Sequence, residues 1–217
     1  MANSINGTCA SVQFLVMGMI ENNMYIIDDG AGCLVVDPSC DAPRIIEALG
    51  GRKLDAIVIT HAHWDHMGAA ADLREATGAP VIASAVDAPF VSGQGTFDSL
   101  GGRADPCPVD RTVEDGDIIE IGNMKWQVLA TPGHTLGSIS LYLEPNDGQE
   151  GAPILVSGDT LFAGTHGRVD FEGGSIDDMR ESLKRLAGLP AETVVLTGHN
   201  ALTTIGRESG WLKLCCI

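Results

Sequence analysis

The sequence predicts a mixed α/β fold in which two β-sheets pack together with helices on the outside. Short apolar runs of strand length, separated by turn residues, dominate both halves of the chain, and one or two helix patterns follow in each half. The chain has 217 residues, enough to bury a substantial core without disulfide bonds. It contains no linker, low-complexity tract or repeat, so we predict a single domain over residues 1–217.

The first half is predicted to contain five strands and two helices. Asp28-Asp29-Gly30 is typical of a hairpin turn. Asp41 and Gly50-Gly51 are typical start and stop signals for a helix over residues 41–49. A second helix, rich in alanine, is predicted over residues 67–77 and ends at Gly78. The predicted strands are residues 12–19, 24–27, 33–36, 54–60 and 80–84.

The second half opens with an irregular segment, residues 86–112, which is rich in Gly, Ser, Pro and Asp. A loop of this length is usually functional, so we expect it to cover a site. A helix is predicted over residues 175–186, because Ser175 is a good N-cap and Asp177 and Asp178 suit the helix dipole. The predicted strands are residues 112–121 with an Asp115-Gly116 turn, 125–130, 138–143, 154–157 and 193–197.

The most informative segment is His-Ala-His-Trp-Asp-His at residues 61–66, directly after a predicted buried strand. In an extended chain, residues i and i+2 project to the same side, so His61 and His63 can bind one ion together. Asp65 and His66 follow after the chain has turned and can face a second ion. The helical zinc motif with histidines at i and i+4 does not fit this spacing. The alternative is a set of solvated loop residues or one buried structural histidine.

Three later strands end in the same way, in glycine followed by a side chain that can bind metal. These side chains are His134, Asp159 and His199. Glycine lets the backbone turn sharply and approach a site closely. Taken singly, each of the three is an ordinary residue, but four strand ends with one chemistry predict a common metal site.

Composition excludes several classes of function. Lys and Arg total 13 against 29 Asp and Glu, a formal charge of −16, so the chain offers no basic surface for nucleic acid. The N-terminus lacks the pattern of a signal peptide, and no apolar run is long enough to span a membrane. The six cysteines are scattered without a Cys-x-x-Cys pair, which is typical of free thiols. We therefore predict a cytoplasmic protein with no nucleic-acid or membrane partner.

Together these motifs resemble the metallo-β-lactamase superfamily over nearly the whole chain. The resemblance is carried by His-x-His-x-Asp-His, by Thr-Pro-Gly-His-Thr at 131–135, by Gly-Asp-Thr-Leu-Phe at 158–162 and by Gly198-His199. The segments around Gly167-Arg168, Gly173-Gly174 and residues 203–208 are similar to the glyoxalase II-related hydrolases. Full-length glyoxalase II proteins carry a further C-terminal helical segment, whereas this chain ends soon after Glu208. The chain therefore resembles the single-domain, hydroxyacylglutathione hydrolase-like members.

This resemblance implies a four-layer αββα sandwich with two divalent metal ions at one edge of the sheets. The ions are most often zinc, with iron or manganese as alternatives. It implies hydrolysis of a small-molecule thioester by a metal-bridging hydroxide. Asp65 and Asp159 would be catalytic carboxylates. The implied ligands are His61, His63 and His134 for the first ion, Asp65, His66 and His199 for the second, and Asp159 between them.

Other activities within the resemblance stay open. Zinc β-lactamases generally lack the bridging aspartate, so Asp159 favours the thioesterase and lactonase branches. Persulfide dioxygenases have similar motifs but bind one iron, which here would use His61, His134 and Asp159. A binding protein without turnover is a third possibility, although a structural zinc needs only four ligands.

Six residues outside the ligand set are also of interest. His166 is a candidate for proton transfer. Arg168 and Asp170 are expected to pair, and Trp64 to pack beneath the site. Phe90 and Phe97, in the 86–112 loop, are candidates for acyl-group recognition.

Overall fold

The computed structural model describes residues 2–95 and 102–215, without the side chain of residue 215, and its first half forms a seven-stranded sheet. The strands lie side by side in chain order. The first four are antiparallel, and from the fourth onwards each pair is parallel. They are β1 (Asn3–Ile5), β2 (Ser11–Met17), β3 (Asn22–Asp28), β4 (Cys33–Val36), β5 (Ala56–Val58), β6 (Val81–Ser84) and β7 (Arg111–Val113).

The second half forms a six-stranded sheet and a small hairpin. Its first four strands are antiparallel neighbours, and the fourth pairs in parallel with a strand that follows a helix. The sheet contains β8 (Ile118–Ile121), β9 (Met124–Ala130), β10 (Ile139–Leu143), β11 (Ile154–Gly158), β14 (Val194–Thr197) and β15 (Thr203–Thr204). The hairpin consists of β12 (Leu161–Phe162) and β13 (Thr165–His166).

Three apolar clusters show that the architecture has four layers. One lies between the sheets, with the fully buried Trp126 on β9 facing residues of β2 to β5. A second joins the outer face of the first sheet to α1 (Ala42–Leu49) and α3 (Ala70–Thr77). A third joins the outer face of the second sheet to α5 (Ile176–Leu186) and α6 (Ile205–Cys215). The predicted αββα sandwich is confirmed. Since the burial of apolar area drives this packing, the order of layers follows from the apolar face of each element.

The predicted helix caps are present. The Asp41 carboxylate accepts a hydrogen bond from the Arg44 backbone N–H, and Gly50 ends α1 with φ of 60°. The Ser175 hydroxyl accepts from the backbone N–H of Asp178 at 3.2 Å at the start of α5. These contacts satisfy groups that a helix end leaves without a partner.

Four of our predictions about elements need correction. The helix predicted over residues 67–77 is two helices, α2 (Trp64–Met67) and α3. The chain breaks near Gly68, where it packs so closely on Ser39 that a Cβ would lie 2.2 Å from the Ser39 oxygen. The segment 86–112 contains a short helix, α4 (Ala88–Val91).

The predicted strand at 112–121 is split between the two sheets, as β7 and β8, by the turn at Asp115-Gly116. Helix α6 was not predicted. Phe97 lies outside the described residues.

The two sheets are joined at one edge by backbone hydrogen bonds. Asn23 at the start of β3 donates to the Gly198 oxygen at 2.7 Å, and Ile139 on β10 donates to the Thr60 oxygen at 3.0 Å. The segments that follow β5, β9, β11 and β14 meet at this edge. Within the described residues, no helix has both the length and the apolar character that a membrane span needs.

Candidate metal centre

Seven side chains that can bind metal converge where the sheets are joined. His61 and His63 follow β5, Asp65 and His66 lie on α2, and the others follow strands of the second sheet: His134 after β9, Asp159 after β11 and His199 after β14. Six of the seven are buried, with 0–8% of their surface exposed, and His199 is half-buried. Buried polar groups in such number demand partners, since each costs free energy without one.

The potential ligand atoms lie close enough together for metal ions. Three groups of three residues each have one ligand atom per residue within 4.8 Å of the others: His61, His63 and His134; His61, His66 and Asp159; and Asp65, His66 and His199. Within the first group, His63 Nδ1 and His134 Nε2 are 2.8 Å apart.

Asp159 lies between the histidines of the two sheets. One carboxylate oxygen is 3.4 Å from His66 Nε2, and the other is 3.5 Å from His134 Nε2 and 3.4 Å from His199 Nε2. Asp65 reaches the same area, at 3.3 Å from His66 Nε2 and 3.4 Å from His199 Nε2. Each carboxylate therefore faces two or more imidazoles, as a shared metal site requires.

Three of the histidines are oriented by their second ring nitrogen. His66 Nδ1 is 2.9 Å from Asp37, His134 Nδ1 is 2.7 Å from the Arg168 carbonyl, and His199 Nδ1 is 3.1 Å from the Ile20 carbonyl. Because these acceptors hold a proton on Nδ1, the Nε2 atom keeps its lone pair for an ion.

The family of the chain follows from its match to a family model. The model of the metallo-beta-lactamase superfamily matches residues 18–199. The chain belongs to this superfamily.

Relatives in this superfamily differ in the activity their names record. A hydroxyacylglutathione hydrolase of Pseudomonas entomophila is 39% identical over 184 residues, which cover 82% of this chain and 62% of that protein. The chain thus spans less than two thirds of that relative. The crystal structure of BLEG-1 B3 metallo-beta-lactamase is similar with a TM-score of 0.79 and 30% identity, over 93% of this chain and 99% of that one.

A third similar protein was crystallised in a di-iron-bound form, with a TM-score of 0.75 and 33% identity, over 90% of this chain and 96% of that one. Taken together, the comparisons place the chain among the metallo-hydrolases of the superfamily.

The electrostatics of the cluster fit divalent metals. Burial, followed by the nearby imidazoles, lowers the pKa of His61 well below its usual value and that of His63 to about 3, so both are neutral ligands. Burial opposes the charge on Asp65 and Asp159, but His66 and hydrogen bonds outweigh it and hold both pKa values well below the usual range.

Conversely, burial opposes protonation of His66 and His199, yet the same carboxylates raise both pKa values, that of His199 to about 9. The carboxylates therefore attract positive charge, and a divalent ion would displace those protons. Two further atoms support the fit, since His61 Nε2 and one oxygen of Asp159 are buried without a hydrogen-bond partner in the described structure.

The cluster opens to solvent through a cavity of about 270 Å³. Its walls outside the ligand set are Ile20, Phe162, Arg168, Phe171 and Asn200. We call this opening the mouth. Arg168 pairs with Asp170 as predicted, through bonds of 2.9 and 2.7 Å.

The other residues singled out in the sequence are not among the described residues that line the mouth. Trp64 is half-buried and, with Phe90, lines a separate cavity. His166 is half-buried on β13, with Nδ1 2.7 Å from the Gly167 carbonyl, and is not among the described residues that line the mouth. Phe90 lines that cavity and not the mouth, and its role in acyl-group recognition stays a prediction.

Three residues that support the metal-binding cluster were not predicted from the sequence. Asn22 donates to Asp65 at 2.7 Å. The Asp37 carboxylate binds His66 and accepts from the Thr60 backbone N–H and hydroxyl. One oxygen of Asp87 accepts from the Ala62 N–H at 2.8 Å and the Thr135 hydroxyl at 3.1 Å, which connects the two segments that carry His61, His63 and His134.

Proposed function

We propose that this chain is a metal-dependent hydrolase that cleaves a thioester of the hydroxyacylglutathione type and binds two divalent ions. The observation that carries the proposal is the position of Asp159 between the histidines of both sheets. A single structural ion needs four ligands, whereas seven potential ligands converge here.

The ligand set divides in two. His61, His63 and His134 would hold the first ion, Asp65, His66 and His199 the second, and Asp159 would reach both. Such a pair of ions supplies a hydroxide at neutral pH and polarises a carbonyl group. Zinc is our first choice, and iron or manganese also suits these ligands.

The surrounding residues fix the geometry for this chemistry. Asn22 and Asp37 orient Asp65 and His66 through the hydrogen bonds described above. Ile20, Phe162 and Phe171 form an apolar wall around the mouth, which limits the water around a bound thioester. A thiolate is a stable leaving group, so its departure needs no strong protein acid.

The relatives support the thioester but leave a second reaction open. The hydroxyacylglutathione hydrolases give the substrate class, and the similarity to a B3 metallo-beta-lactamase favours β-lactam hydrolysis as the second candidate. Asp159 favours the first. Lactone hydrolysis and iron-dependent persulfide oxidation are further outcomes of the test.

The free thiols of the four described cysteines support a reducing compartment, and we propose the cytoplasm.

The decisive experiment combines metal content with turnover. Protein purified without added metal is analysed for its elements and assayed on S-lactoylglutathione, a cephalosporin, a lactone and a persulfide. About two ions per chain with thioester turnover supports the proposal. One iron per chain with oxygen uptake on the persulfide, or turnover confined to the β-lactam or lactone, overturns it.

The Asp159→Ala variant tests the residue that carries the argument. It should lose about one ion per chain and most of its turnover. Asp147→Ala, in an exposed turn between β10 and β11, is the matched control and should keep both.

A further inference from the structure

The mouth combines apolar walls with a cationic side chain that is already paired. Ile20, Phe162 and Phe171 provide the apolar surface. Next to Ile20, at the tip of the β2–β3 hairpin, Met19 is 93% exposed, which extends the apolar rim into solvent. A substrate that crosses this rim contacts hydrocarbon, and Arg168 and Asn200 are the polar lining residues outside the ligand set.

The cation at the mouth is already neutralised. Among the described residues that line the mouth, Arg168 alone has a Lys or Arg side chain. Its guanidinium makes two hydrogen bonds to the Asp170 carboxylate. The hydrogen bond from Arg168 also lowers the pKa of Asp170, so the pair stays ionised. In addition, the guanidinium lies 4.1 Å from the centre of the Phe171 ring. An incoming carboxylate would have to compete with Asp170 for this partner.

Two further carboxylates are sequence neighbours of residues that line the mouth. Glu21 follows Ile20, Glu172 follows Phe171, and both are exposed. Among these lining residues and their sequence neighbours, one cation stands against three carboxylates outside the ligand set. The formal charge of the chain, −16, has the same sign, and two divalent ions would offset about four of those charges. Such a field slows the approach of anions and speeds that of cations.

We propose that the thiol half of the substrate carries no net negative charge, so the site prefers neutral or cationic thioesters to anionic ones. This inference rests on the thioester hydrolysis proposed above and narrows it: the thioester chemistry is kept, but the thiol differs from glutathione, which carries a net negative charge. Charge acts here on encounter and binding, while the residues that would hold the ions and their hydroxide are the same for every substrate.

Thioesters with one acyl group and thiols that differ in charge alone test the proposal. Butyryl thioesters of thiocholine and of its uncharged carbon analogue, 3,3-dimethylbutanethiol, form one pair. Butyryl thioesters of 3-mercaptopropionate and 3-mercaptopropionamide form the other. Because each pair is matched in shape, the ratio of kcat/KM within a pair isolates the charge. S-lactoylglutathione is assayed beside them.

We expect the cationic member of the first pair to react at least as fast as its neutral partner at low ionic strength. The ratio of kcat/KM between the neutral and the anionic member of the second pair should be about ten or more. The ratio should fall towards one near 1 M salt, where the Debye length is about 3 Å. In the double variant Glu21→Gln/Glu172→Gln, it should fall several-fold. Glu150→Gln, at the opposite end of β11 from Asp159, is the control for a change of charge elsewhere and should leave the ratio unchanged.

The outcomes separate the two proposals. An anionic thioester that reacts as fast as its neutral partner, or a clear preference for S-lactoylglutathione over all four, overturns the charge proposal and leaves thioester hydrolysis intact. A charge preference that persists at high salt and in the double variant also overturns it, because another feature then causes the preference. No turnover of any thioester by protein with two bound ions overturns both.

Discussion

Replacing Gly198 with alanine should damage the candidate metal site without unfolding the chain. The added Cβ would lie 2.1 Å from a carboxylate oxygen of Asp159 and 2.9 Å from Cε1 of His66. Real Cβ atoms essentially never approach closer than 3.0 Å, so Asp159 must move by at least 0.9 Å, the difference between 3.0 and 2.1 Å. A displacement of about 1 Å at a reacting centre can cost about 100-fold in rate, or about 2.7 kcal/mol of transition-state stabilisation.

Three measurements check this prediction for Gly198→Ala. We expect kcat/KM on the best thioester to fall about 100-fold, the metal content to fall from about two ions per chain towards one, and the far-ultraviolet circular dichroism to stay unchanged. Gly210→Ala is the control, because a Cβ there meets nothing within 4 Å and alanine favours the helix α6. A variant at Gly198 that keeps two ions and loses less than about threefold in kcat/KM would refute the reasoning.

Three further predictions concern the supporting residues. Asp37→Asn removes the charge beside His66 Nδ1 and should weaken metal binding about 10-fold to 100-fold in competition with a chromophoric chelator, and unchanged affinity would contradict this role. Asp87→Ala leaves the buried Ala62 N–H and Thr135 hydroxyl without their acceptor and should lower the free energy of unfolding by about 1–3 kcal/mol in urea, whereas a loss within error would count against it. Burial raises the pKa of the Cys9, Cys33 and Cys107 thiols from 9.0 to about 11. As the pH rises, the unfolded chain therefore loses these protons before the folded chain does. The free energy of unfolding should fall between about pH 9 and pH 11. Urea titrations at pH 8 and pH 10.5 measure the free energy of unfolding, and equal free energies at the two pH values would disprove the prediction.

The sequence predicts which side chains converge at the candidate metal site because these residues follow a local rule. Each ligand segment comes directly after an apolar strand, and strand ends can be recognised from a few neighbouring residues. The same rule applies to Asp37, which follows β4 at the same edge, so that signal was present and was missed. Asp87, three residues after β6, follows the same rule and was also not predicted. Asn22 lies at the start of β3 and has no comparable signal, since its partner Asp65 is 43 residues away.

The errors in the fold arise where tertiary contacts overrule local preference. Gly206 and Gly210 weaken the helix pattern of α6, yet Leu212 is fully buried in the cluster that packs α6 against α5 and the second sheet. The turn at Asp115-Gly116 was predicted, but which sheet a strand joins depends on pairing with distant residues. Likewise, the break at Gly68 depends on the backbone of Ser39, which no helix pattern can reveal.

The division of ligands between the sheets means that the histidine motif is not a portable unit. Transplanted into another protein, residues 61–66 would carry four of the seven side chains and neither the aspartate nor the imidazoles that complete their coordination. The hydrogen bond between Asn23 and Gly198 ties the register of one sheet to the other at this edge. Substitutions in the loops can therefore change the choice of substrate. A change in the angle between the sheets would instead separate the two halves of the candidate metal centre.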